Sequence, residues 1–423
     1  MDETHVVTCF LRNRGEVLLL RRSEEVGSYP GRWGGVAGHA EGDPDRAARD
    51  EIAEETGLLD ACTLAREGVT FTFEDEDLGI AWTVHPYLFD CERRDAETDW
   101  ETSEFEWVHP TEILRRETVP NLWASYSRVG PTIRQVAEDS DHGSAYLSVR
   151  ALEVLRDRAG SFAERDGVGW AQLVAVAEKL LDARPSMAAV ANRVNRAMAA
   201  AAEERSPTAV ERAAREGIER AYRADEEAAA NAADEIRGES VLTLSRSGTL
   251  LDALPAARRV FVAESRPARE GVGVAAELAA SGGESDGSGP RVTLHTDAAV
   301  AHVLATEEVD RMVVGADAIL PDGRVVNKTG TRGAALAASR EGIPVYAVAA
   351  SDKVRTDDAV HLENGDPAAV YDGDAELTAL NPTFDVTPAA AISRVVTERG
   401  VLAENSIGAV ADELRVSAAW RDK

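Results

Sequence analysis

Apolar runs at Val6–Leu11 and Glu16–Leu20 read as two strands joined by a turn at Asn13 to Gly15. Further strand signals lie at Val69–Phe73, Ala81–Phe89 and Glu106–Val108, with a short closing helix at Pro110–Arg115. Between the two groups, residues from about Asp45 to Thr56 carry a helical pattern. The rhythm then changes. Ala-rich stretches at Ala145–Arg158, Trp170–Leu181, Met187–Ala201 and Thr208–Arg237 predict helices, and Ser206-Pro207 is a helix start, with serine capping and proline in the first turn. After Gly238 short apolar runs alternate with helical stretches. Val241–Leu244, Arg258–Ala263, Arg291–His295, Arg311–Val314 and Val345–Ala349 predict buried strands of a parallel sheet. Gly282 to Pro290 reads as a solvated acidic insert between strand units.

This order divides the chain into an N-terminal α/β domain over 1–135, an all-helical subdomain over 140–237 and a Rossmann-like domain over 238–423. A length of 423 residues, 44% of them hydrophobic, suffices for such a set of cores. The net charge of −29 repels nucleic acid and anionic membranes and suits a surface dissolved in molar salt, so a halophilic cytoplasm is expected, with simple acidity in a mesophile as the alternative. No apolar run reaches the length of a membrane span, and the N-terminus shows no signal region. The only cysteines, Cys9, Cys62 and Cys91, fall in the first domain without metal-ligand spacing and are expected to be buried thiols.

The most specific chemistry in the first domain lies between Gly38 and Leu58. On a helix, Glu51 and Glu55 stand on one face, with Glu54 turned about 100° from Glu55. Clustered carboxylates favour a hard cation such as Mg2+. A solvated acidic helix is the rival reading. Glu51, Ile52, Glu54, Glu55, Gly57 and Leu58 match the Nudix box, and the domain resembles that family. The upstream half departs from the pattern. Gly38 lies thirteen positions before Glu51 where the family has fifteen, Asp43 best fills the remaining acidic position, and Asp50 occupies the family's arginine position, with Arg49 one place early. The resemblance implies an α/β/α sandwich, hydrolysis of a nucleoside diphosphate derivative, catalytic Glu54 and Glu55, and Mg2+ (or Mn2+) held by Gly38, Glu51, Glu54 and Glu55.

In the Rossmann-like domain, polar groups follow the predicted strands at Ser245–Thr249, Glu264–Pro267, Asp297 and Gly315–Asp317, where ligands of doubly wound sheets bind. The stretch Val313 to Thr331, together with Ala183–Ser186, Ala263–Pro267 and Asn381–Pro388, resembles the family uniting initiation factor 2B regulatory subunits, methylthioribose-1-phosphate isomerase and ribose-1,5-bisphosphate isomerase. That resemblance implies proton or hydride transfer between neighbouring carbons of a sugar phosphate, with Asp317 as one acid–base group. Ser245 stands where the isomerases carry a cysteine. A hydroxyl is a far weaker acid than a thiol and needs a dedicated base to take that part. Arg184, Arg246, Ser247, Gly248, Asn327 and Lys328 form the expected phosphate pocket. Asp317 as a helix cap or buried polar anchor and Asn327 as a turn residue are the structural alternatives.

The whole reads as a Nudix-type hydrolase fused to a sugar-phosphate isomerase or initiation-factor-2B-like domain. The alternative is a non-catalytic regulator that binds a nucleotide or sugar phosphate. The expected partners are small nucleotides and sugar phosphates, with no membrane and no direct nucleic acid, and the resemblance implies a homodimer or larger homo-oligomer.

Overall fold

The computed structural model describes residues 2–40, 42–139, 142–281 and 289–422. All but the last two positions of the acidic insert lie outside them. Backbone contacts divide the chain into two compact units. The first comprises Met1–Thr132, Glu153–Leu173 and Arg205–Ile218, and the second comprises Ile133–Leu152, Val174–Glu204 and Glu219–Lys423. Both units therefore draw on the Ala-rich helical stretch.

The first unit is built on an eight-stranded mixed sheet. Its elements are β1 (Asp2–Asn13), β2 (Glu16–Arg22), β3 (Trp33–Gly34), β4 (Val36–His39), α1 (Pro44–Thr56), β5 (Cys62–Glu67), β6 (Phe71–Asp75), β7 (Ile80–Cys91), β8 (Thr102–Val108) and α2 (Leu122–Val129). β1 runs parallel to β7 and antiparallel to β2 and β4. Side chains of a strand alternate between faces, and the two cores follow that period. Val7, Cys9, Leu11, Leu18 and Leu20 pack with Ala48 and Ile52 of α1, whereas Phe10, Val17 and Leu19 pack with Leu122, Tyr126 and Val129 of α2. The sheet is thus covered by helix on both faces, the expected α/β/α sandwich. The predicted helix at Pro110–Arg115 is a 3-10 turn over Pro110–Leu114.

Next along the chain come α3 (Ile133–Glu138), α4 (Ser144–Ala163), α5 (Trp170–Ala183), α6 (Ala188–Ala201) and α7 (Pro207–Ile236). The second unit continues with β9 (Ser240–Leu244), α8 (Gly248–Ala253), β10 (Arg259–Ala263), α9 (Glu270–Ser281), β11 (Arg291–His295), α10 (Val300–Thr306) and β12 (Arg311–Gly315). It closes with β13 (Ala318–Ile319), β14 (Val325–Lys328), α11 (Thr331–Arg340), β15 (Val345–Val348), β16 (Phe384–Thr387), β17 (Arg394–Thr397), β18 (Gly400–Leu402) and α12 (Glu404–Ala418). The main sheet has the order β11-β10-β9-β12-β15-β17-β18 and is parallel except for β18. All five predicted strands are present. Val241, Val260, Val262 and Val313 face one core with α8 and α9, and Leu242, Phe261, Met312 and Val314 face another with α10 and α11. Burial on both faces explains the apolar runs of β9, β10, β12 and β15, whereas β11, expected to be buried too, is the edge strand of the sheet and is partly exposed along its length.

Beyond the expectation, β17 and β18 extend the sheet, and β13, β14 and β16 form a separate antiparallel sheet of three strands. These strands are two to four residues long and their sequence is mixed, so periodicity gives little signal there. The strand order reverses between β9 and β12, which places a crevice at their carboxyl ends.

Candidate functional site

In the first unit the site is organised by helix α1. Asp43 caps it by accepting a hydrogen bond from the Arg46 amide at 3.3 Å, Pro44 occupies its first turn, and Gly57 ends it in the left-handed region at φ 65°. Asp43 thus serves as a helix cap in the structure. The periodicity of α1 buries Ile52 and Glu55, while Glu51 is half-buried and Glu54 is exposed. The Glu51 carboxylate lies against Gly38, where an added Cβ would sit 1.7 Å from Oε1. Only glycine permits that approach. Glu55 accepts a hydrogen bond from the Ala37 amide at 3.4 Å, so β4 and α1 bring Gly38, Glu51 and Glu55 together. Asp50 is paired instead with Arg46 at 3.3 Å.

Burial, and next the charge of Glu51, pushes the Glu55 carboxyl up to about 8. Glu51 is raised as well, by burial and then by Glu54, Glu101, Asp99 and Asp50. Carboxylates crowded in this way are short of a counter-charge, and their oxygens are the donors that a hard divalent cation takes. Among the described residues no three His, Cys, Asp or Glu side chains form a ready cage. Mg2+ is commonly held by one or two carboxylates together with waters and substrate phosphates, so the pair fits that ion.

In the second unit the polar groups gather at the carboxyl ends of β9, β10, β11 and β12. Ser245 follows β9 with φ 62° and Ser265 follows β10 with φ 61°, a conformation that costs a non-glycine residue free energy. Three side-chain contacts hold it. Asp297 accepts hydrogen bonds from the amides of Ser265 and Arg266, and Ser265 Oγ accepts one from the Ser245 amide at 2.7 Å. The Ser245 hydroxyl then donates to Glu270 Oε2 at 2.5 Å, and Glu270 Oε1 is 2.8 Å from Lys328 Nζ. Glu270 is the first residue of α9, and Lys328 ends β14.

Asp317 follows β12 and is partly buried. Its carboxyl is raised by burial, an effect opposed first by Lys353 and then by Lys328. Ser144 Oγ lies 3.5 Å from its Oδ1. Lys353, buried just after β15, donates to the Ala316 carbonyl at 2.7 Å, and burial lowers its ammonium while Asp317 raises it. Ser245, Glu270 and Lys328 are therefore linked by direct contacts, and Asp317 feels the charges of Lys353, Lys328 and Glu270.

The remaining predicted contacts sort themselves by partner. Asn327 is buried and donates to Thr331 Oγ1 at 3.0 Å. Ser247 caps the six-residue α8 by accepting from the Leu250 amide at 3.4 Å, with Gly248 as the first helical residue. Gly315 allows β12 to pass Ser247, since an added Cβ would be 2.7 Å from the serine Cβ. Arg246 is ion-paired with Glu277 at 2.8 Å and Arg184 with Glu363 at 3.2 Å. The structure thus joins Ser245 to Lys328 through Glu270, and it sets Asp317 within the electrostatic influence of Lys353 and Lys328; neither Glu270 nor Lys353 is marked by a sequence motif. A signal for Lys353 existed, because the chain has only four lysines and two of them act on Asp317. Glu270 gave only its place, the start of a helix after a strand.

A mixed-sheet sandwich followed by a doubly wound unit with its polar groups at the strand switch defines a fusion of two α/β ligand-handling domains. Residues 2–129 match the NUDIX domain, and residues 140–404 match the initiation factor 2 subunit family. The chain belongs to the initiation factor 2 subunit family and carries an N-terminal Nudix domain. It is 32% identical over 311 residues to the ribose 1,5-bisphosphate isomerase of Haloferax volcanii, across 68% of this chain and 94% of the isomerase. The methylthioribose-1-phosphate isomerase of Heliobacterium modesticaldum is 38% identical over 174 residues, spanning 36% of this chain and 48% of its own length. Among solved structures, the translation initiation factor eIF-2B of Pyrococcus horikoshii OT3 superposes with a TM-score of 0.53 at 26% identity, covering 64% of this chain and 94% of its own.

Proposed function

We propose that the second unit isomerises an aldose phosphate of the ribose 1,5-bisphosphate type. The observation that carries this reading is the Ser245 hydroxyl on Glu270, itself paired with Lys328. A serine in the place of a cysteine needs a base, and Glu270 is within reach to be that base. Asp317, raised by burial, holds its proton more firmly than an exposed aspartate and is the stronger base once ionised. One group serves each of two neighbouring carbons: Asp317 takes or returns a proton at one, and the Ser245–Glu270 pair does so at the other. Arg246 and Lys328 supply cations for the substrate phosphates, with Ser247, Gly248 and Asn327 as hydrogen-bonding partners, and Arg184 exchanges Glu363 for phosphate. The likeness to the Haloferax volcanii isomerase over almost its whole length supports the substrate class.

In the same reading the first unit cleaves a nucleoside diphosphate derivative. Glu51 and Glu55 would hold Mg2+ or Mn2+ beside Gly38, with Glu54 as the solvent-facing carboxylate of the set. The bound ion supplies Lewis acidity towards a phosphoryl oxygen. Glu54 and Glu55 orient the attacking water and receive its proton. The net charge of −29 supports work in molar salt. The family resemblance supports a homo-oligomer; light scattering in molar KCl that found a monomer would remove that part of the reading.

The deciding experiment incubates the protein in molar KCl and Mg2+ with ribose 1,5-bisphosphate and, separately, with ADP-ribose. Ketose formation that disappears in Asp317→Asn, and phosphate-bond cleavage that disappears in Glu55→Gln, are the expected results. Tight binding of either compound without turnover would overturn the enzymatic reading in favour of a ligand-binding regulator, which the likeness to eIF-2B supports.

A further inference from the structure

Two of the three cysteines face each other across a strand pair. Cys62 opens β5, Cys91 ends β7, and the antiparallel register makes them direct partners. Both are free thiols, and their sulfurs lie 3.0 Å apart, with the Cys62 thiol donating to the Cys91 sulfur. Facing residues of an antiparallel pair have Cα atoms roughly 4.5–5.5 Å apart, inside the range a disulfide spans. Cys62 is partly exposed and Cys91 is buried at 5% exposure, while Cys9 lies apart from the pair, fully buried beneath α1 and donating to the Ala48 carbonyl at 3.8 Å.

The pair sits where two segments of the first unit are tied together. Cys62 follows α1 by way of the buried Leu58 and a single 3-10 turn, Leu59–Ala61. Cys91 begins the segment that carries Asp99 and Glu101, two of the charges that act on Glu51. The Glu92 amide donates to the Ala61 carbonyl and the Glu97 amide to the Thr56 carbonyl, each at 2.9 Å. Arg93 adds an ion pair to Asp60 at 2.8 Å. A covalent bond at Cys62 and Cys91 would therefore fasten the end of α1 to the root of the acidic segment.

We propose that Cys62 and Cys91 form a reversible disulfide under peroxide, a redox-responsive clamp between the end of helix α1 and the acidic segment after β7. The hydrogen bond from Cys62 favours the thiolate at Cys91, the attacking sulfur of the pair. The Cys91 thiolate attacks one oxygen of hydrogen peroxide, the O–O bond breaks, and a sulfenic acid and hydroxide result. The Cys62 sulfur then attacks the sulfenic sulfur, its proton leaves with the sulfenic oxygen as water, and the disulfide closes. Two thiols are oxidised and one peroxide is reduced to two waters. A resting dithiol of this kind suits a reducing compartment, where disulfides are transient and sensing.

The test treats the full chain with hydrogen peroxide, alkylates the remaining thiols under denaturing conditions and maps the cysteine peptides by mass. One Cys62–Cys91 crosslink, an alkylated Cys9 and full reversal by dithiothreitol are expected. Exchange of the Glu92 and Glu97 amides should slow about tenfold in the oxidised protein. A Cys62→Ser variant, checked for folding by circular dichroism, should accumulate a Cys91 sulfenic acid that a dimedone probe traps. Sulfenic acid trapped on Cys91 in that variant, with all three cysteines still alkylated in the treated parent, would overturn the proposal. So would a crosslink that engages Cys9. Neither outcome depends on turnover at either candidate site.

Discussion

The two candidate sites bury carboxylates in opposite company. In the first unit Glu51 and Glu55 are crowded by other acids, and both are raised. In the second, Asp317 and Glu270 stand among Lys328 and Lys353, and the ammonium groups offset part of the burial effect on Asp317. Like charges brought together are stable only with a proton or an added cation. A mixed set is neutral by itself and free to pass protons. The first arrangement therefore calls for a proton or an added cation, and the second needs neither.

The comparison breaks most sharply at Ser245. With Glu270 as the base of the serine, Glu270→Gln should lower ketose formation about a thousandfold. In a Ser245→Cys background the same change should cost about tenfold, because a thiol ionises with far less help. A double-mutant cycle on initial rates measures the coupling. Equal losses in both backgrounds would reduce Glu270 to a structural partner of Lys328.

The metal-free first unit should depend on pH through Glu55. Its ordinary value is 4.5 and its folded value about 8, so between these limits the folded chain holds a proton that the unfolded chain has released. Stability then falls as pH rises across that window. The loss should be on the order of 2 kcal/mol or more in the presence of a chelator, read from urea unfolding followed by hydrogen exchange of the α1 amides. Glu55→Gln should remove the slope, and saturating Mn2+ should reduce it. An unchanged slope in Glu55→Gln would place the burial cost elsewhere.

The glycines of the two sites offer a finer contrast. At Gly38 the clash is with the carboxylate end of the Glu51 side chain, which is free to swing away. Gly38→Ala should keep its stability while Mn2+ affinity, by calorimetry, falls about tenfold. At Gly315 the clash is with the Cβ of Ser247, which is fixed to its backbone. Gly315→Ala should cost about 1–3 kcal/mol in urea unfolding.

How much of this was legible in the sequence follows from the same physics. β9, β10, β12 and β15 were readable because both of their faces are buried, the edge strand β11 because it falls in the same alternation of strand and helix, and α1 because its acidic and apolar positions repeat with the helical turn. The three-stranded sheet was hidden in segments too short to show a period. Ser245 and Asp317 stand out in the sequence because motifs mark them. Glu270 does not, since its meaning comes from lying opposite Ser245, twenty-five positions away, across two strand ends. The pairing of Cys62 with Cys91 was equally hidden, because it depends on the register of β5 against β7.

Asp43 gives the smallest and most discriminating effect. By sequence it best filled an acidic position of the metal-binding box, yet in the structure its carboxylate caps α1 through the Arg46 amide. A cap needs an acceptor oxygen, whereas a ligand for a divalent cation needs the charge. Asp43→Asn preserves the acceptor and removes the charge. It should leave both stability and Mn2+ affinity close to those of the parent, while Asp43→Ala should cost about 1 kcal/mol of stability. If Asp43→Asn instead weakens Mn2+ binding severalfold at unchanged stability, the carboxylate leaves its cap to reach the ion, and the first unit would hold its metal with three acids rather than a pair.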